Sequence, residues 1–262
     1  DTCEKTNQYT NGGPIVKELE EFIRNKFEIQ ENKAVICCNN ATSALYALTS
    51  GIELVSDVKQ WATQSFTFPA SAQGMLKDAI IIDIDEGGGV DLNQIPEEVN
   101  GIIVTNCFGN VVDIDKYVNW CKERNIFLIL DNAGTGFTFY KGKNSCNYGH
   151  GSVISFHHTK QFGFGEGGAI IVDEKYEYTI RKLMNFGIDN NNPNEYELYW
   201  NRLGNNYKIS EISALYILQY LRENFDNIVE HHRKLYDHFK ETCNDISMAF
   251  TRFKYDDCRT VK

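Results

Sequence analysis

The chain has 262 residues, 42% of them apolar, and a formal charge of −10. That length buries a full core in one large domain or two smaller ones, and the acidic balance excludes non-specific binding to nucleic acid or to an anionic membrane. There is no signal-peptide pattern, no apolar run of bilayer length, and no CxxC or zinc-like spacing among the eight cysteines, so a reduced, cytoplasmic protein without a metal is expected.

After a polar start, PIVKELEEFIRNKF (14–27) sets Ile15, Leu19, Phe22, Ile23 and Phe27 on one helical face, with Pro14 in the first turn. Short apolar runs of strand character follow: AVICC (34–38), QWATQ (60–64), AIIIDID (79–85), GIIVTN (101–106), IFLIL (126–130), SVISF (152–156) and GAIIVD (168–173). Helical patterns such as SALYAL (43–48) and IDKYVNWCKER (114–124) lie between several of them. The alternation predicts an α/β fold with a mostly parallel sheet covered on both faces, which binds ligands beyond the carboxyl ends of its strands. Residues 189–195, DNNNPNE, read as an Asn-rich loop. From Ser210, a natural N-cap, a long helical pattern leads out of the sheet domain towards a smaller second unit.

Three features fall at or just after strand ends. The first is Lys160 in SFHHTKQFGFGEGG (155–168), held in a tight connection between two core strands. Gly163, Gly165 and Gly168 match the GxGxxG spacing of a dinucleotide loop, but they run into a strand rather than a helix, so that reading is rejected. The second is Asp131 at the end of IFLIL, either a turn cap or a buried carboxylate that needs a facing cation. The third is NNATSA (39–44), where Thr42 and Ser43 open a helix; Thr42 is a cap, or the pair serves an anion at the helix N-terminus. An amine for an aldehyde, a carboxylate for a pyridinium and a phosphate cup together are the requirements of pyridoxal 5′-phosphate. His157 and His158 hydrogen-bond the backbone, contact substrate or take part in catalysis.

The blocks TNGGPIVKELEEF, QSFTFPASA, DIDEGGGVDL, SFHHTK…GEGGAIIV and GNNYKISEISALYILQYL occur in one order. That order resembles the DegT/DnrJ/EryC1/StrS family of pyridoxal phosphate-dependent nucleotide-sugar aminotransferases over nearly the whole chain. The resemblance implies the type I fold of pyridoxal phosphate-dependent transferases, with a large cofactor-binding domain over 1–225 and, over 226–262, a connecting helix and the beginning of an incomplete C-terminal α/β domain. It also implies a homodimer with shared active sites. Lys160 would hold the cofactor covalently and later move the substrate proton, and Asp131 would pair with the ring nitrogen. Phe68 would stack on the ring, although plain core packing is its other reading. Ala41, Thr42, Ser43 and Ser155 would hold the phosphate together with Asn206 from the neighbouring subunit. Thr10, Asn11, His157 and His158 would line the sugar-nucleotide pocket.

The expected reaction moves an amino group from glutamate to a nucleotide-linked, dTDP-type 4-keto-6-deoxyhexose, giving a viosamine-type sugar. Alternatives are a 3-aminotransferase, a sugar dehydratase, or a degenerate relative that acts as a binding or assembly subunit. Relatives that dehydrate replace the lysine with histidine, so Lys160 favours amino transfer. Gly134 stands where the family commonly has Gln or His beside the ring, Ala41 where glycine is usual, and Lys208 where arginine is common. The long helix carries Leu215, Leu218 and Leu221, which need a covering surface, and a longer natural chain with a complete small domain is expected to supply it.

Overall fold

The computed structural model describes residues 2–188, 204–245 and 258–259. Its centre is a seven-stranded sheet built from β1 (Lys33–Cys38), β2 (Trp61–Gln64), β3 (Ile80–Ile82), β4 (Gly101–Thr105), β5 (Phe127–Asp131), β8 (Gly151–Ser155) and β9 (Gly168–Asp173). The order is β1-β9-β8-β5-β4-β2-β3, and β9 alone runs against the others. A hairpin of β6 (Phe139–Tyr140) and β7 (Lys143–Asn144) stands apart, and β10 (Cys258–Arg259) pairs with β6.

The apolar runs are strands because they are buried on both faces. Ile36, Ile103, Ile129, Val153 and Ile170 face α3 (Ala41–Val55) and α5 (Glu177–Met184), whereas Val35, Ile154 and Ile171 face α2 (Pro14–Lys26) and α6 (Glu211–Asp245). On that second side, Ile102, Val104, Leu128 and Leu130 pack on α4 (Ile114–Arg124). A short α1 (Thr2–Thr6) precedes them. In α2, Pro14 occupies the first turn and Ile15, Leu19 and Ile23 are buried, as their spacing requires. The run AIIIDID yields only a three-residue edge strand, with Ile81 60% exposed and Ile84 bridged to Val90. Two aspartates in that run turn the chain into a loop instead.

Ser210 begins α6 as expected, its hydroxyl accepting the Ser213 N–H at 3.0 Å. The covering surface predicted for the leucines of α6 needs correction. Leu218 and Leu221 are 1% and 0% exposed within the core that α2 and the sheet provide, and of the three only Leu215 faces outward. The opposite end of the helix pair is locked by Glu211. This fully buried carboxylate accepts the N–H groups of Gly13 and Ile15 at 2.7 Å each and of Val16 at 3.4 Å, so the first residue of α6 caps the start of α2.

Strand β1 lies at the sheet edge, where outward backbone groups lack a neighbouring strand. Glu20 accepts the Cys37 N–H at 2.9 Å, and Arg181 donates to the Val35 carbonyl at 3.3 Å. The two side chains also pair with each other at 3.0 Å, and Arg181 reaches Glu177 at 2.8 Å. Burial still pushes the Glu20 carboxyl above its ordinary range, against the pull of Arg181. One step further along, Asn39 N–H donates to the Tyr207 carbonyl at 2.9 Å and Cys38 bridges Lys208.

Candidate active site

Strand register decides which side chains meet. Asp131 pairs with Thr105 on β4 and Val153 on β8, so its carboxylate shares a face with Ile103, Ile129 and Val153, the face that carries α3. Ser155, two residues after Val153, falls on that face at the carboxyl end of β8. Parallel strands place their carboxyl ends together, so Asp131, Ser155 and the N-terminus of α3 gather at one end of the sheet.

Asp131 is 4% exposed, and its Oδ1 accepts the Ala133 N–H at 3.0 Å. Burial pushes its pKa up, while the Ala133 bond and the charge of Lys160 draw it down. Cys107, half-buried after β4, lies in the same field: burial and the Asp131 charge raise its pKa and Lys160 lowers it. Nothing in its sequence setting marked Cys107 as a neighbour of the site.

Lys160 sits in the hairpin joining β8 to β9. β9 runs antiparallel to β8, and this reversed direction returns the chain directly past the carboxyl end of β8. The hairpin is internally bonded: Phe156 N–H to Gly167 O at 2.9 Å, Phe164 N–H to Phe156 O at 3.0 Å, and Lys160 N–H to His157 O at 2.8 Å. Gly163 is required there, because a Cβ would stand 1.8 Å from the His157 carbonyl oxygen. His157 Nδ1 lies 2.8 Å from the Thr159 hydroxyl and 3.3 Å from its N–H, and Nε2 lies 3.5 Å from Glu166. Its backbone N–H donates to the Ser155 hydroxyl at 3.2 Å. His158 is exposed and lies against His157, the two rings tilted with centroids 4.2 Å apart.

At α3 the cap is Asn40 rather than Thr42: its side chain accepts the Ser43 N–H at 2.8 Å and its carbonyl the Ala44 N–H at 3.0 Å. The N–H groups of Ala41 and Thr42 then remain for an anion. Gly168 lets β9 pass close by, since a Cβ there would lie 2.6 Å from the Ala41 nitrogen. Phe68 is 66% exposed at the start of the turn after β2, which rules out core packing. Phe66 and Phe108, 53% and 89% exposed, make a tilted ring pair at 6.1 Å. Gly134 leaves ordinary room for a side chain, its nearest neighbours being 3.7 Å from a Cβ.

The remaining predicted residues form a second group by the β1 edge. Asn11, exposed with φ of 67°, and Lys208 line a cavity of about 800 Å³ with Gln8, Glu20 and Arg181; Lys160 and Asp131 do not line it. Lys208 donates to Asn206 Oδ1 at 2.7 Å, and burial lowers its pKa. Thr10 is exposed beside Asn11. The Asn-rich loop at 189–195 lies outside the described residues.

The donor set at the strand ends fits pyridoxal 5′-phosphate. A buried carboxylate with no cation at ion-pair distance among the described residues suits a protonated ring nitrogen, the open N–H groups of α3 suit a phosphate, and Lys160 suits an aldehyde. Fold and donor set together define an α/β domain built to hold pyridoxal 5′-phosphate at the carboxyl ends of its strands. The chain belongs to the DegT/DnrJ/EryC1/StrS aminotransferase family, whose profile matches residues 1–258. It is 27% identical over 253 residues to the dTDP-4-amino-4,6-dideoxy-D-glucose transaminase of Shigella dysenteriae, covering 93% of this chain and 65% of that protein. It is 28% identical over 219 residues to the UDP-4-amino-4,6-dideoxy-N-acetyl-beta-L-altrosamine transaminase of Campylobacter jejuni, covering 79% and 56%. The crystal structure of a PLP-dependent aminotransferase from Bacillus cereus superposes with a TM-score of 0.77 at 26% identity, over 93% of this chain and 67% of that one. The chain thus spans 56–65% of the length of these two curated relatives. No helix among the described residues is long and apolar enough to cross a membrane.

Proposed function

We propose that this chain is the cofactor-binding part of an enzyme that transfers an amino group from glutamate to a nucleotide-linked 4-keto-6-deoxyhexose, with dTDP as carrier and a 4-amino-4,6-dideoxy sugar as product. The observation that carries this reading is the gathering of Lys160, Asp131 and the open N–H groups of α3 at one end of the sheet. The names of the Shigella and Campylobacter relatives, both transaminases of 4-amino-4,6-dideoxy sugars, support the substrate class. Lys160 in place of histidine favours amino transfer over dehydration.

When bound, the cofactor supplies an electrophilic aldehyde and a ring that drains electrons from the substrate carbon. Lys160 holds the cofactor and moves the proton at that carbon. Asp131 keeps the ring nitrogen protonated, Phe68 covers the ring face, and Ala41, Thr42, Ser43 and Ser155 take the phosphate. Thr10, Asn11, His157 and His158 contact the sugar nucleotide. In a cytoplasmic homodimer, the partner's Asn206 completes the phosphate site. Residues 1–225 form the cofactor domain, with Phe225 in its core, and 226–262 lead into a second domain.

The test is mass spectrometry of products after incubation with pyridoxal phosphate, glutamate and a panel of nucleotide keto sugars. A gain of an amino group on a dTDP-linked 4-keto sugar is expected. Loss of water without amination would overturn the assignment in favour of a dehydratase.

A further inference from the structure

On the sheet face opposite the Asp131 carboxylate, three polar side chains from neighbouring strands are buried together. Asn106 follows β4, Asn132 follows β5 and Ser152 lies in β8, with exposures of 1%, 0% and 0%. Asn132 Nδ2 donates to the Ser152 hydroxyl at 2.8 Å and to the Cys146 sulfur at 3.5 Å. Its Oδ1 accepts from Asn106 Nδ2 at 2.6 Å and from the Thr135 hydroxyl at 3.2 Å. Both donors and both acceptor positions of the amide are therefore used. Asn106 Oδ1 accepts the Val112 N–H at 3.0 Å, and its carbonyl lies 3.2 Å from the same Thr135 hydroxyl.

Packing alone does not call for such a cluster, because apolar residues of like volume would fill the layer without removing polar groups from water. What the cluster adds is register. It ties β4, β5, β8 and the turn after β5 together at the level of Asp131, where the ladder ends. The peptides around Asp131 enter the same brace: Asn106 N–H donates to the Asp131 carbonyl at 3.0 Å, and Asn132 N–H to the Val153 carbonyl at 2.9 Å. A side chain on one face of a strand thereby fixes the direction of its neighbour on the other.

We infer that Asn132, braced by Asn106 and Ser152, is a positioning residue that holds the Asp131 carboxylate at the distance and angle a cofactor ring nitrogen requires. This rests on the cofactor assignment above. A misplacement of about 1 Å in such a partner costs roughly a hundredfold in turnover.

The test uses pyridoxal phosphate labelled with 15N in the ring, bound to wild type and to Asn132→Ala, with the ring-nitrogen signal, cofactor affinity and thermal melting measured side by side. In the variant the signal is expected to move from the protonated towards the unprotonated position, while affinity, carried by the untouched phosphate contacts, falls by less than about tenfold. A packing role would lower melting and affinity and leave the signal of the bound fraction where it was, and that result overturns the inference. Should Asn132→Ala fail to fold, Ser152→Ala removes a single bond of the brace and must shift the signal in the same direction; an unchanged signal in that folded variant overturns the inference too. Wild-type protein that binds no pyridoxal phosphate overturns the cofactor assignment itself, a separate outcome from a bound cofactor whose ring nitrogen ignores the brace.

Discussion

Replacing Glu211 by alanine removes the acceptor for three backbone N–H groups at the start of α2, two at 2.7 Å and one at 3.4 Å. Hydrogen bonds to a charged group contribute about 1.5–3 kcal/mol each, and the longest of the three adds little. The gross loss is therefore about 3–6 kcal/mol, offset in part because a carboxylate no longer has to be desolvated; breaking buried charged contacts of this kind costs about 3–5 kcal/mol. Against a total stability of about 5–15 kcal/mol, that is a large fraction. Glu211→Gln keeps the volume but turns an amide N–H towards an N–H, so it recovers only part of the loss. The same bonds anchor the loop carrying Thr10 and Asn11, whose neighbour Tyr9 accepts the Glu211 N–H at 3.0 Å, so the variants also loosen the proposed sugar-nucleotide contacts. Urea unfolding followed by circular dichroism measures the effect. A loss below about 1 kcal/mol in both variants would refute the capping argument.

Asp131→Asn has opposite effects on stability and activity. Burial raises the folded pKa above the ordinary 3.8, so the fold binds the proton more tightly than the unfolded chain and loses stability as pH rises from 3.8 through the folded value. Asparagine still accepts the Ala133 N–H, so without cofactor the variant should melt higher than wild type at pH 7 while turnover falls by roughly a hundredfold or more; a lower melting temperature contradicts the sign. Gly163→Ala drives a Cβ into the His157 carbonyl and should distort the Lys160 hairpin, seen as loss of borohydride labelling of Lys160 in a protein that remains folded. Unimpaired labelling would show that the hairpin yields freely. Mixing inactive Lys160→Ala with inactive Asn206→Ala should restore activity through hybrid dimers, of which an equal random mixture contains about half. No recovery despite demonstrated subunit exchange would mean that the site is not shared through Asn206.

The strands were legible because their continuous apolar, β-branched runs reflect burial on both faces, and Pro14 and Ser210 marked helix starts through local chemistry alone. The place of Lys160 in a connection between two core strands was legible too, whereas the reversed direction of β9 was not, because a connection of that length does not by itself fix strand direction. What stayed hidden depends on contacts between distant residues. Glu211 reaches across 198 residues to Gly13, and nothing near it in the chain marks it as a cap for another helix. The Asn106–Asn132–Ser152 cluster needs the strand order before the three can be placed together. Asn40 was passed over for Thr42 because adjacent polar residues compete for a cap, and backbone geometry decides between them. Helix α5 was missed because its apolar face, Ile180, Leu183 and Met184, is short. The fate of Leu218 and Leu221 could not be read without knowing that α2 lies over them.

The ion pair on β1 has a consequence for how copies of this chain meet. A free strand edge is a template on which identical molecules can add strand after strand. Here Glu20 and Arg181 already occupy the outward N–H of Cys37 and the outward carbonyl of Val35, and the 206–208 segment takes the next positions. An incoming strand would have to displace a buried carboxylate and a guanidinium from the backbone groups they already bond. Growth by sheet continuation is thereby closed at this side of the molecule.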